Sequence, residues 1–191
     1  MNKRPSFLHR LRKGWLGDRA GIAAVEFAIM APVVFGVIAG TTDLSLILYT
    51  RSQVAASVNA AANYALVNVS SVTSANASTL ATHLASYMYA SLPGANGGAS
   101  ATVNNGAVQT AGSGASTTGG GGSADSCYCP SGSGANVTWG GAATCGSACG
   151  NNLVAGKFVL LSASKPFTPM FSNWGIVQAG SITETTIVQV Q

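Results

Sequence analysis

The hydrophobic residues form one long block near the start of the chain. Residues 27–49 contain a single charged residue, Asp43. As an α-helix this block is about 34 Å long, which is enough to cross a hydrocarbon layer of roughly 30 Å. It also contains Pro32 and the pair Gly36 and Gly40, whose spacing allows close helix packing but is common in membrane helices anyway. We therefore expect one transmembrane helix.

The pattern changes after this block, but it remains helical. Small apolar residues recur at intervals of four, three and four at Val54, Val58, Ala61 and Ala65. This spacing predicts that the helix continues to Val67 and packs one face on its own domain rather than on a second stalk. A second helix is predicted over 77–91 from the apolar positions at 80, 84, 87 and 88, and Pro93-Gly94 ends it.

The rest of the chain alternates between weakly apolar and β-type segments. Residues 93–126 are rich in Gly, Ser, Ala and Thr, and predict a low-complexity loop with one weak strand at 101–108 and flexible chain from Gly119. Two segments with β-type apolar residues, 156–167 and 181–191, predict strands that pair antiparallel. Ile182, Val188 and Val190 share one face of the second strand, which we expect to pack on the stalk. The expected fold class is α+β.

The charge distribution orients the predicted helix. Residues 1–21 carry six Lys or Arg and one Asp, whereas the remaining residues carry a net charge of −1, so the overall charge of +4 comes from the leader. A basic flank before an apolar span is typical of a cytoplasmic N-terminus, and the remainder would then be extracytoplasmic. No nucleic-acid partner is expected, because the folded body lacks a basic stripe. A cleaved secretory signal is a weaker alternative, because Glu26 interrupts the start of its apolar region and no A-x-A site follows.

Glu26 is the unusual residue at the head of the apolar block. A cut after Gly21 would make Ile22 a new N-terminus, and Glu26 would lie close enough to neutralise an ammonium within or between subunits. Gly21 followed by Glu26 and Phe27 resembles the G-x-x-x-x-E-[FY] processing site of type IV prepilins. More narrowly, residues 20–66 resemble the TadE-like family, which comprises minor pseudopilins of the Tad (Flp) pilus machinery.

The resemblance implies a pilin-like fold and a set of partners. It implies cleavage between Gly21 and Ile22 by a prepilin peptidase, no enzymatic activity and no cofactor. Other pilin or pseudopilin subunits, inner-membrane pilus assembly proteins and the lipid bilayer would be the partners, and the location would be the cytoplasmic membrane with a periplasmic domain. Family members commonly carry glycine and then arginine soon after the aspartate of the span. Here Asp43 is followed by Leu44 and Ser45, so no specific contact is predicted for it.

These features divide the chain into five parts and leave two functions open. The parts are a leader at 1–21, a helix and stalk at 22–68, a break and short helix at 69–92, the low-complexity loop at 93–126, and a cysteine loop with strands at 127–191. The first function is a pseudopilin, and the alternative is an uncleaved single-pass membrane protein with an unrelated binding role. An enzyme is not expected, because His83 is the only histidine outside the leader and no G-x-S-x-G or H-E-x-x-H motif occurs.

Four cysteines lie close together at Cys127, Cys129, Cys145 and Cys149. In an extracytoplasmic domain they are expected to form disulfides. A C-x-C pair rarely bridges itself, because the geometry is strained, so Cys127 and Cys129 should each pair with one of the other two. Which pairs with which stays open. A zinc site is the weaker alternative, since C-x-C with C-x-x-x-C is not a common zinc spacing.

Overall fold

The computed structural model describes residues 21–92, 94, 96–112, 115–134, 136–150, 153–171 and 177–191. The predicted basic leader therefore lies outside the described residues, apart from Gly21. The fold is α+β, as expected: two helices lie on one face of an antiparallel sheet, and a small disulfide-linked loop extends from one end of that sheet.

The first helix, α1 (Ile22–Val67), is unbroken over 46 residues. At about 1.5 Å per residue it is roughly 69 Å long, so only part of it can lie in a membrane. The predicted continuation to Val67 is confirmed, and Val54, Val58, Ala61 and Ala65 are all buried in the core. The expectation that this face packs on the helix's own domain is thus confirmed.

The second helix, α2 (Ala77–Ser91), has the predicted bounds. A short 3-10 helix (Val69–Ser71) and a turn connect it to α1. Leu80, Leu84 and Met88 point into the core, whereas Tyr87 on the other face is half exposed. Lys157 stabilises the connection, because its Nζ donates a hydrogen bond to the Val72 carbonyl oxygen at 2.9 Å.

The main sheet has five antiparallel strands in the order β3-β2-β1-β6-β7. The strands are β1 (Gly98–Val103), β2 (Ala107–Gly112), β3 (Thr117–Gly119), β6 (Phe158–Phe167) and β7 (Gly180–Gln189). The predicted antiparallel pairing of the two C-terminal segments is confirmed, with Phe158 opposite Gln189 and Phe167 opposite Gly180. A separate pair, β4 (Cys127–Tyr128) and β5 (Ala142–Ala143), belongs to the cysteine loop.

The expectation of one weak strand at 101–108 within a low-complexity loop is wrong. The segment forms a hairpin, β1 and β2, whose turn occupies the middle of the predicted strand. Asn104 and Asn105 have φ of 48° and 58°, and the Gly106 N–H bonds to the Val103 carbonyl oxygen, as in a type I′ turn. Asparagine tolerates this left-handed backbone better than most residues, so the turn forms there and splits the strand.

Small residues allow this hairpin to be part of the core. Cross-strand pairs on one face are Ala99 with Ala163, Ala101 with Leu161, and Val103 with Val159, and all six are buried. α2 packs on β1 and β2, whereas α1 packs on β6 and β7. The alanines provide the space for α2 to approach the sheet closely. A segment rich in small residues, which is typical of disordered chain, therefore forms an ordered part of the sheet here.

Candidate membrane and assembly site

The first part of α1, residues 22–38, is exposed all around the helix, and we call it the exposed segment. Its large apolar side chains are between 52% and 68% accessible. Those side chains are Ile22, Val25, Phe27, Ile29, Met30, Val33, Val34, Phe35, Val37 and Ile38. Soluble monomers rarely leave a continuous apolar surface of this kind uncovered. By length and composition, α1 is also the one helix among the described residues that could cross a membrane.

Gly21 lies directly before the first turn of α1. Its φ of −78° is ordinary, and a Cβ built there would meet no atom within 4 Å among the described residues. Neither backbone conformation nor packing therefore requires glycine at this position. A requirement for glycine must come from something outside the described fold.

Glu26 and Phe27 lie on the exposed segment, one helical turn after Ile22. Glu26 comes four residues after Ile22, which is about 6 Å along the helix axis and on the same face. Both side chains are exposed, and no ion pair or hydrogen bond to Glu26 occurs among the described residues. An exposed carboxylate on an otherwise apolar surface is thus available to a cation from the same chain or another one.

Asp43 has a specific contact that the sequence analysis did not predict. Its side chain is 2% exposed, and its two carboxylate oxygens accept hydrogen bonds from the backbone N–H groups of Met170 and Phe171, at 2.9 and 3.3 Å. The contact joins residues 127 positions apart along the chain. The carboxylate stands out within the apolar block, but nothing in the sequence near it indicates Met170 or Phe171 as its partners.

A second link holds the β6–β7 hairpin along α1. Arg51 Nε donates to Glu184 Oε1 at 2.7 Å, with the Arg51 side chain well exposed to solvent. From Glu184 to the start of β7 is four residues, about 13 Å in a strand, and from Arg51 back to Asp43 is about 12 Å in a helix. The two distances along β7 and along α1 are therefore nearly equal, and the β6–β7 connection lies beside the end of the exposed segment.

The four cysteines form two disulfides. Cys127 pairs with Cys145, and Cys129 pairs with Cys149, with Cα–Cα distances of 5.1 and 5.7 Å. The prediction that each of the first two cysteines pairs with one of the last two is confirmed, and the order left open is now defined. No cysteine is free in the described chain, so this structure contains no thiolates for the alternative four-thiolate zinc site.

Asn104 connects the cysteine loop to the sheet. Its Nδ2 donates to the carbonyl oxygens of Ala124 and Ser126 at 2.8 and 2.6 Å, and its Oδ1 accepts from the Phe158 N–H at 3.1 Å. The residue is fully buried, so leaving these groups unpaired would be costly. The same asparagine that turns the β1–β2 hairpin thus also holds the start of the cysteine loop.

One acidic group outside the helix has a shifted pKa. The pKa of Asp125 is lowered, first by hydrogen bonding from the Ser74 side chain and then by the Ser74 backbone N–H, which lies 3.0 Å from Asp125 Oδ1. Lys157 lowers it further by charge attraction.

Within the described residues there is no cluster of three or more His, Cys, Asp or Glu suited to a metal ion.

Comparison with known families identifies the N-terminal part of the chain. Residues 21–63 match the family model described as TadE-like protein. The chain carries a TadE-like segment. The TadE-like segment begins at Gly21 and contains the exposed segment and Asp43. It also contains the first part of the face of α1 that packs on the sheet and on α2. No curated protein and no solved structure matches the chain.

The TadE-like segment gives the geometry a context. It indicates a function related to the Tad pilus and interaction with pilus components, and together with the apolar helix it indicates a membrane-anchored protein. Residues 64–191 lie outside the match, so α2, the sheet and the cysteine loop are not explained by it. The first half of α1 is thus the candidate site for membrane insertion and assembly.

Proposed function

We propose that this chain is a minor pseudopilin of a Tad/Flp-type pilus assembly or secretion system. Residues 1–21 serve as a cytoplasmic leader, α1 crosses the cytoplasmic membrane, and the sheet with its cysteine loop lies in the periplasm. The protein has no enzymatic role in this proposal. Its partners are a prepilin peptidase, other pilin or pseudopilin subunits and inner-membrane pilus assembly proteins.

One observation carries the proposal. Among the described residues, neither packing nor backbone conformation requires the glycine at Gly21, which immediately precedes an exposed apolar helix, and Glu26 one turn into that helix has no ion-pair partner there. A peptidase that cuts after Gly21 explains the glycine, because a residue without a side chain allows close approach of the backbone. The cut creates an ammonium at Ile22, which explains the carboxylate. The TadE-like match beginning at Gly21 supports the same boundary.

The disulfides support the proposed orientation. Disulfides persist in the periplasm and are rare in the cytosol, and Cys127–Cys145 and Cys129–Cys149 lie in the domain after the membrane helix. The excess of Lys and Arg before the helix favours a cytoplasmic N-terminus independently. Both arguments favour a cytoplasmic position for the N-terminal end of α1.

The mass of the membrane-bound protein tests the proposal. We expect the chain co-expressed with a prepilin peptidase to lose residues 1–21 and to begin at Ile22, and the chain expressed without the peptidase to stay intact. Gly21→Val should block the cut, because a branched side chain would occupy the space at the scissile bond. Gly17→Val is the matched control, because it places the same change in the leader but away from the bond.

The outcomes separate the two functions. Intact mass in the presence of an active peptidase would contradict the pseudopilin proposal and favour the uncleaved, single-pass binding protein. Cleavage of both glycine variants would show that processing does not depend on Gly21. In either case the folded domain can be checked by its two intact disulfides.

A further inference from the structure

We propose that the β6–β7 loop, meaning residues 168–171 and 177–179, inserts into the lipid interface at the C-terminal end of the exposed segment. The loop would be a second membrane contact beside α1. This goes beyond the proposed function, because it requires only that α1 crosses a bilayer and not that the leader is cleaved.

The position of the loop along the helix is the first argument. Met170 and Phe171 donate their backbone N–H groups to Asp43, so this part of the loop lies level with residue 43. Val177 lies further toward the N-terminus of α1, where it lines an apolar groove of about 570 Å³ with Gly36, Gly40 and neighbouring residues. The loop therefore runs beside residues 36–44.

The depth of the bilayer is the second argument. A hydrocarbon core of roughly 30 Å corresponds to about 20 helical residues. If the core begins anywhere from Ile22 to Phe27, it ends between about residues 41 and 46. The part of the helix beside the loop then lies within the last turns of the hydrocarbon core. A loop at this depth must be compatible with lipid.

The chemistry of the loop is the third argument. Met170 is 70% exposed and Phe171 is 37% exposed, although both are apolar. No charged residue occurs between Lys165 and Glu184 in the sequence. The exposed apolar side chains of Leu44 and Leu48 on α1 continue the same kind of surface. This surface continues the lipid-facing side of the helix rather than a solvent-facing one.

The backbone chemistry is the fourth argument. Irregular backbone is tolerated at membrane depth only where its polar groups find partners within the protein. Asp43 supplies such partners, because both of its carboxylate oxygens accept N–H groups of the loop. This role also explains why a carboxylate is retained within the apolar block, since hydrogen bonding offsets the cost of removing it from water.

The test measures the depth of spin labels in the full-length protein reconstituted in phosphatidylcholine/phosphatidylglycerol vesicles. A label is attached to Met170→Cys, with both disulfides intact. Leu44→Cys is the control for lipid contact, since its exposed side chain lies on α1 beside the loop. Val154→Cys is the control for solvent, because Val154 is 49% exposed and lies near the opposite ends of β6 and β7. Collision with oxygen and with a water-soluble nickel chelate is measured at each label.

The expected result is a positive depth parameter, with oxygen favoured over the nickel chelate, at residues 44 and 170, and a negative one at residue 154. A negative value at residue 170 together with a positive value at residue 44 would overturn the proposal. Low collision with both reagents at residue 170, with spin–spin broadening between chains, would indicate a protein neighbour and would also overturn it. The precursor and the processed chain serve equally well, so failure of leader cleavage does not affect this test.

Discussion

The two halves of α1 have the same conformation but different surroundings. In the exposed segment, large side chains such as Phe27 and Ile29 are each 68% accessible. In the half that follows, the buried side chains are mostly small, as at Ala61 and Ala65, and they pack on the sheet and α2. One helix thus provides two kinds of interface. The difference shows that side-chain size, rather than total hydrophobicity, separates the surface left for lipid or other subunits from the surface used for folding.

The largest expected effect comes from the exposed segment and concerns assembly rather than folding. If the proposed cleavage after Gly21 occurs, Glu26→Ala should abolish assembly of the chain with pilus components and leave membrane insertion unchanged, because it removes only the proposed partner of the ammonium that cleavage would create at Ile22. Pilus counts and co-purification with other subunits measure the first effect, and membrane fractionation measures the second. Glu26→Asp, which keeps the charge, is the control, and normal piliation in Glu26→Ala would contradict the pairing.

A matched pair of leucines tests the two surfaces for their effect on stability. Leu84 is fully buried under the sheet and Leu48 is 59% exposed on α1. Leu84→Ala should lower the free energy of unfolding of the domain formed by the sheet and the two helices by about 2–5 kcal/mol, whereas Leu48→Ala should change it by less than about 0.5 kcal/mol. Chemical denaturation of the full-length protein in detergent micelles measures both. Equal losses for the two variants would show that α1 also buries its Leu48 side in the folded domain.

Asp43 lies where the two halves meet, and its removal should have an intermediate effect. Asp43→Ala leaves the N–H groups of Met170 and Phe171 without their acceptors, which should cost about 1–3 kcal/mol. Amide hydrogen exchange at these two residues should become faster, while exchange in β6 stays slow. If exchange at Met170 and Phe171 were unchanged, the loop would be held by contacts other than Asp43.

The smallest expected effect is the pH dependence of the stability of the domain formed by the sheet and the two helices. Because the pKa of Asp125 is lowered below its ordinary value of 3.8, its charged form stabilises the fold above that pH. This contribution should be lost as the pH falls below 3.8 and through the lowered pKa. Thermal unfolding measured from about pH 5 down to about pH 2, the range over which carboxyl groups usually titrate, should show a smaller loss of stability in acid for Asp125→Asn than for the unmodified chain. Asp125→Asn should not change membrane insertion of the exposed segment. A change in insertion would contradict the view that the exposed segment and the folded domain behave independently.

The sequence allowed accurate prediction where periodicity was strong. The apolar spacing in α2 gave its bounds, and the small residues from Val54 to Ala65 predicted the buried face of α1. The β6–β7 pairing followed from two segments with β-type residues. The possible disulfide partners followed from the strain of a C-x-C bridge, but their order depends on how β4 and β5 pair, which spacing alone does not define.

Two features were not predicted, for different physical reasons. The strands β1 and β2 contain mainly small residues, so their alternation carries little hydrophobic signal, and burial under α2 stabilises them instead. Here the sequence did contain a local signal, Asn104-Asn105-Gly106, which favours a hairpin turn. The contact of Asp43 with Met170 and Phe171 depends on two distant segments, and no local pattern indicates it.

The continuity of α1 has a mechanical consequence. No break separates the membrane-embedded turns from those that form the core with α2, β6 and β7. A force that pulls the anchor out of the bilayer, or a rotation imposed on it, is therefore transmitted directly to the sheet. During extraction from the membrane, the exposed segment and the domain formed by α2 and the sheet would move together. The orientation of this domain would follow the tilt of the exposed segment.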